Sequence, residues 1–219
     1  ERAIAELRSL HERGIAVVLL ESQATGATSV TIADTAGMQE LAQRVRGLGH
    51  ERVAVVTLPW GPGAGSGLRE DHELTPDAYP FTHARISGIR AGGITPTDIF
   101  VTGGSLVEEG FEAAKVLLAR EERPTAIMAC SDLLAAGVLL AARELGLAVP
   151  GDLSVTGFDG VDLAWLAPDV IESVEQPSAR KGQLAGEAAI ALIAGGDPHS
   201  VELEVWPRPG TTLGPVPKA

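Results

Sequence analysis

"VPGDLSVTGFDG", residues 149–160, carries a β-type apolar run into an acidic turn. Leu153, Val155 and Phe158 are apolar, and Gly157-Phe158-Asp159-Gly160 then breaks any strand. Three readings of Asp159 are open at this point: a turn former, a helix cap, or a carboxylate aimed at a ligand. The flanking sequence decides among them.

Upstream, "PTAIMACS" at 124–131 reads as a strand, and Asp132 is the natural cap of a helix that runs to Gly146. Before it, "DIFVT" at 98–102 is a strand. Ser105 then opens a helix with Glu108 three positions on, a capping-box spacing, and its apolar face is Val107, Phe111, Ala114 and Leu118. Further back, "IAVVLL" at 15–20 and "RVAVVTL" at 52–58 are continuous apolar runs of the kind buried on both faces of a parallel sheet. Between them lie the strand "SVTIA" at 29–33 and a helix capped by Asp34 with Met38, Leu41, Ala42 and Val45 inward. A helix over 1–13 and another at 81–92 complete this half.

Downstream, a short helix near 161–166 precedes the strand "VIESV" at 170–174. Ser178 starts a helix with Leu184, Ala188, Ala191 and Leu192 inward, and "VELEVW" is the last strand. Only "PWGPGAGSGLREDHELTPDAYP" at 59–80 lacks an apolar period; it reads as a long loop, or alternatively as a linker between separate domains, and residues 61–78 are expected to be mobile relative to their neighbours. Repeated βα units predict a doubly wound α/β fold with ligands at the carboxyl ends of its strands. Asp159 lies at such an end.

Composition narrows the function. The chain has 219 residues, 17 Lys plus Arg against 29 Asp plus Glu, and a formal charge of −12. Nucleic-acid binding draws on cationic contacts to phosphate, so so acidic a chain is a poor DNA binder by itself. The single cysteine, Cys130, permits no internal disulfide and fits a reducing cytoplasm. No apolar run is long enough to span a bilayer.

Enzymatic signatures are missing. "GPGAGSG" at 61–67 matches neither a dinucleotide fingerprint nor a Walker loop, and no G-x-S-x-G elbow occurs. His11, His50, His72, His83 and His199 are scattered without metal-ligand spacing. The sequence predicts a protein that is not an enzyme and carries no cofactor or metal.

Several stretches resemble the effector-binding domain of lactose-repressor-type (LacI/GalR family) transcription regulators. They are "ERGIAVVLL", "LGHERVAVV", "ARISGIRAG", "LAPDVIESVEQPSARKGQLAGEAAIALI" and, most specific, "RPTAIMACSDLLAAGVLLAARELGLAVPGDLSVTGFDG". The resemblance implies two doubly wound parallel-sheet subdomains of the periplasmic-binding-protein-like type, holding a small molecule in their cleft. Crossings near 58–61, 175–177 and 198–201 would assign 1–58 and 177–198 to the first subdomain, and 60–175 with 201–219 to the second. Family members carry a helix-turn-helix head and further βα units before the point matching Glu1. The expectation is therefore a partial first subdomain and a DNA-binding segment not present in this chain.

The resemblance also implies roles. Asp159 would accept hydrogen bonds from adjacent hydroxyls of a polar effector, such as a sugar or sugar derivative. Arg85 would supply paired donors, and Ser131 and Gln176 further polar contacts. Leu106 stands where many relatives place a stacking aromatic, leaving Trp165, Tyr79 or Phe81 to supply an aromatic face. The function implied is a cytoplasmic, homodimeric effector-sensing domain of a repressor or activator, in which the effector selects a closure angle and so changes the spacing of the DNA-binding heads. It would touch DNA only through the absent head, and no membrane. The alternative is an extracytoplasmic solute-binding receptor of a transporter.

Overall fold

The apolar text "VAVVT" becomes a strand, β3 (Val53–Thr57), buried at every residue. It is buried because it has a neighbour on each side: β5 (Asp98–Val101) and β6 (Ala126–Ala129) both pair with it in parallel. β7 (Ser154–Thr156) extends the sheet parallel to β6, and β4 (Gly67–Arg69) closes the other edge antiparallel to β5. The order is β4-β5-β3-β6-β7. The computed structural model describes residues 7, 9, 10, 12–70, 74 and 78–217.

The helices are α1 (Asp34–Gly47), α2 (Pro80–Ala91), α3 (Val107–Leu118), α4 (Asp132–Glu144) and α5 (Ser178–Ile193). The remaining strands are β1 (Val18–Leu20), β2 (Thr28–Ile32), β8 (Ser173–Glu175), β9 (Val201–Leu203) and β10 (Trp206–Arg208). No helix among the described residues is long and apolar enough to cross a membrane.

The chain divides into two units, Glu1–Ala33 with Gln176–Val205, and Asp34–Glu175 with Trp206–Ala219. The first division thus falls before α1, not near residue 58, because β3 is the centre of the second unit's sheet. The last falls after Val205 instead of at 198–201, because β9 pairs in parallel with β2 in unit 1. "VELEVW" is accordingly two strands: β10 leaves unit 1 and pairs antiparallel with β8.

Unit 1 has a three-stranded parallel sheet, β1-β2-β9. Its β1 departs from the expectation of a strand buried on both faces. Among the described residues it has one neighbour, its Leu20 is 49% exposed, and Ile15 ahead of it is 40% exposed. On α5 only Ala188 is buried, whereas Leu184, Ala191 and Leu192 are half-buried. Of the helix read over 1–13, residues 7, 9, 10 and 12 are helical, and 1–6, 8 and 11 lie outside the described residues.

In unit 2, α3 and α4 approach so closely that a Cβ on Gly137 would lie 2.1 Å from the Val107 carbonyl oxygen. Two sequence expectations fail here. Ser105 does not cap α3; Leu106 occupies that position with no side-chain cap, and the Ser105 hydroxyl turns 2.8 Å to Ser131. The expected loop at 59–80 contains β4, tied down by the Arg69 guanidinium on the carbonyls of Gly65 and Leu68. Residues 71–73 and 75–77 of that expected loop lie outside the described residues.

Candidate functional site

Asp159 lies in the turn after β7. Phe158 is fully buried, Asp132 N–H donates to its carbonyl at 2.7 Å, and Asp159 N–H donates to Val174 O at 2.8 Å. With its backbone tied, Asp159 adopts φ +114°, a region that costs an L-residue about 1–3 kcal/mol. Gly160 follows at φ +72°, where a Cβ would strike the Glu175 backbone at 2.7 Å. The Asp159 side chain is 23% exposed, against 6% for that of Arg85.

Arg85, on α2, is buried at 5% exposure. A buried guanidinium needs its charge and its donors met. Nε donates to Asp34 Oδ1 at 2.7 Å and Nη1 to the Cys130 carbonyl at 2.6 Å. Nη2 lies 3.4 Å from Asp159 Oδ1, and the cation sits 3.9 Å over the Phe158 ring. Burial by itself would lower the Arg85 pKa, but attraction to Asp159 and then Asp34 outweighs it and raises the pKa above the ordinary value. Burial also pushes the Cys130 thiol up to about 11, against the pull of Arg85. That thiol stays protonated and inert.

Asp132 was expected to cap α4; Ser131 does so instead, accepting from Leu134 N–H at 3.2 Å. Asp132 is the first residue of the helix, fully buried, and turned toward the Asp159 turn. Its Oδ2 accepts from Val161 N–H and its Oδ1 from the Ser173 hydroxyl, both at 2.6 Å. Burial raises its carboxyl to about 6, opposed by those two hydrogen bonds and helped by the like charge of Asp159. Gly157 leaves room for it, since a Cβ there would lie 2.1 Å from Asp132 Oδ1.

The structure therefore joins Asp159 to Arg85 and adds Asp34 and Asp132. On the sequence alone both added carboxylates read as helix caps, and a cap and a buried carboxylate held by other elements look alike in a single chain. Ser131 is buried next to Cys130 and occupied by its cap and by Ser105. Gln176 belongs to unit 1, where Lys181 bridges its Oε1 and the Glu21 carboxylate. Leu106 and Trp165 are 54% and 55% exposed. Tyr79 and Phe81 stack on one another with centroids 5.5 Å apart. A cavity of about 570 Å³ in unit 1, lined by Ile15, Val17, Ala27 and Leu192 among others, includes none of the candidate residues.

Residues 42–212 match the family described as periplasmic binding protein-like domain. The chain is 33% identical over 217 residues to an HTH-type transcriptional regulator of Mycobacterium tuberculosis, covering 95% of this chain and 60% of that protein. Among solved structures, it is similar to a LacI-family transcriptional regulator from Corynebacterium glutamicum, with TM-score 0.86, 27% identity, and coverage of 95% of this chain and 64% of the other. A LacI-family regulator from Enterococcus faecium with bound ribose shares the fold at TM-score 0.78 and 20% identity, over 96% of this chain and 75% of that one.

Proposed function

Because the chain belongs to the periplasmic binding protein-like domain family, as an effector-binding domain of lactose-repressor-type regulators, we propose that Asp159 and Arg85 hold a small polar effector whose binding switches the regulator's grip on DNA. The observation that carries this reading is the Arg85–Asp159 pair at the carboxyl edge of the sheet, 3.4 Å apart and with the Asp159 side chain partly exposed. An ionised carboxylate offers two acceptor oxygens, which suits adjacent hydroxyls of a sugar or sugar derivative. Arg85 spends Nε and Nη1 on Asp34 and Cys130, so Nη2 is the donor that faces the effector together with Asp159.

Ser131 and Gln176 are proposed as further polar contacts, and Leu106, Trp165, Tyr79 and Phe81 as apolar ones. The site binds and does not catalyse. The effector acts by population shift, binding more tightly to one of two conformations that differ in DNA affinity. DNA is reached through a helix-turn-helix segment of the kind the relatives' names carry, and the protein works in the cytoplasm as a homodimer. Val116, 41% exposed, is the α3 residue proposed for the dimer contact.

Calorimetry against neutral pentoses and hexoses, starting from ribose, tests the site. Asp159→Ala is expected to weaken the binding sugar by about ten- to a hundred-fold, the worth of a charge-assisted hydrogen bond, with little change in Tm. A sugar that binds wild type and Asp159→Ala equally removes Asp159 from the site.

A further inference from the structure

Why does a domain bury a carboxylate at the start of a helix whose cap is already supplied by Ser131? Two contacts of Asp132 grip one segment and a third braces it from β8. Its N–H holds Phe158 O, its Oδ2 holds Val161 N–H, and its Oδ1 is braced by the hydroxyl of Ser173 on β8. Phe158 and Val161 bracket Asp159. The Val161 peptide is gripped from its other side as well, because Arg208 of β10 donates to its carbonyl at 2.7 Å. Between these anchors Asp159 keeps a backbone conformation that an L-residue disfavours. Strain of this kind persists only where the surroundings over-determine it, and here α4, β8 and β10 all contribute.

We infer that Asp132 is a positioning residue: its ionised carboxylate clamps the Gly157–Val161 turn and so holds Asp159 in its ligand-facing conformation. The inference rests, for its functional meaning, on the reading of Asp159 as an effector contact. The groups facing Asp132 are Ser173 from β8, Val161 N–H and Asp159 from the turn, and Arg208 from β10. The Asp132 carboxyl is raised to about 6, chiefly by burial. As pH falls through that value the clamp loses its charge. A neutral carboxyl still accepts from Val161 N–H, but about half as strongly as a carboxylate. Opening the turn breaks the Val161 hydrogen bond while Asp132 stays buried beside Ser173, so protonation favours this local opening and the turn loosens in mild acid, even though the same proton opposes global unfolding, which returns Asp132 to water.

Amide hydrogen exchange on the assigned, isotope-labelled protein tests this with no ligand in the tube. In wild type, Val161 protection, corrected for the intrinsic rate, should fall several-fold between about pH 7.5 and about pH 5, with a midpoint near 6. Asp132→Asn should keep most of the protection and lose the midpoint, while Asp132→Ala should lower Val161 protection by about ten-fold or more and leave β3 amides unchanged. Asp159→Ala should move the midpoint down, because a like charge is gone. A flat wild-type profile, or the same midpoint in Asp132→Asn, overturns the inference. If Asp132→Ala does not fold, the Asn variant and the wild-type profile still decide it. Failure here leaves the effector reading intact, and failure of the calorimetry leaves the clamp intact.

Discussion

"IAVVLL" and "RVAVVTL" are almost the same text, and the molecule treats them differently. The second becomes β3, flanked on both sides and buried throughout. The first becomes the short edge strand β1, with one neighbour and half-exposed residues. An apolar run announces a strand, but the number of neighbours is set by residues far away in sequence. The contrast extends to the units. Unit 2 presses its helices together to backbone contact, while unit 1 leaves Ile190 and Ile193 of α5 at 70% and 77% exposure.

The contrast is sharpest at glycines. Gly137→Ala forces a methyl group to within 2.1 Å of the Val107 carbonyl oxygen, and α3 and α4 must separate. We expect a loss of at least about 3 kcal/mol in urea unfolding. A loss below about 1 kcal/mol would mean that the α3–α4 approach is looser than described.

The next effect separates two ways of holding a carboxylate, by a cation and by neutral donors. Unit 1 matches Glu21 with Lys181, whereas unit 2 holds Asp132 by hydrogen bonds from Ser173 and Val161. The Asp132 carboxyl rises from 3.8 to about 6 on folding, so the folded protein binds its proton more tightly than the unfolded chain. The stability linked to that proton is fully present below pH 3.8 and is lost as pH rises through about 6. The difference between wild type and Asp132→Asn should therefore change by up to about 3 kcal/mol between pH 4 and pH 7. A constant difference over that window would refute the buried-carboxylate account.

Smaller again is the comparison of the two strands themselves. Val55→Ala in β3 should cost about 2 kcal/mol, and Val18→Ala in β1 less than about 1 kcal/mol. Equal costs would show β1 to be as well packed as β3. Smallest, and of opposite sign, is Gly186→Ala on α5, where a Cβ meets nothing within 4 Å. Ala is the better helix former, so a gain of up to about 1 kcal/mol is expected from thermal unfolding.

Much of this was legible in the chain. The strand and helix order, the placement of Asp159 at a carboxyl edge, and the partnership with Arg85 follow from apolar period, turn residues and family resemblance. What escaped was whatever depends on distant neighbours. β4 hid inside a Gly- and Pro-rich segment because its ladder to β5 is made by backbone, with little demand on its side chains. The crossing before α1 was invisible because the two flanking stretches have the same apolar character. Ser131 and Asp132 are adjacent potential caps, and only the position of Val161 and Ser173 decides which one caps and which one clamps.

The φ of +114° at Asp159 has one more consequence. Glycine would occupy that backbone with less strain, so a selection for thermal stability alone would favour Asp159→Gly. The same replacement would delete the only partly exposed carboxylate paired with Arg85 among the described residues. Under the proposal that Asp159 contacts the effector, robustness and recognition pull in opposite directions at this position, and a variant library scored by heat resistance would drift toward a hardier protein with a weakened site.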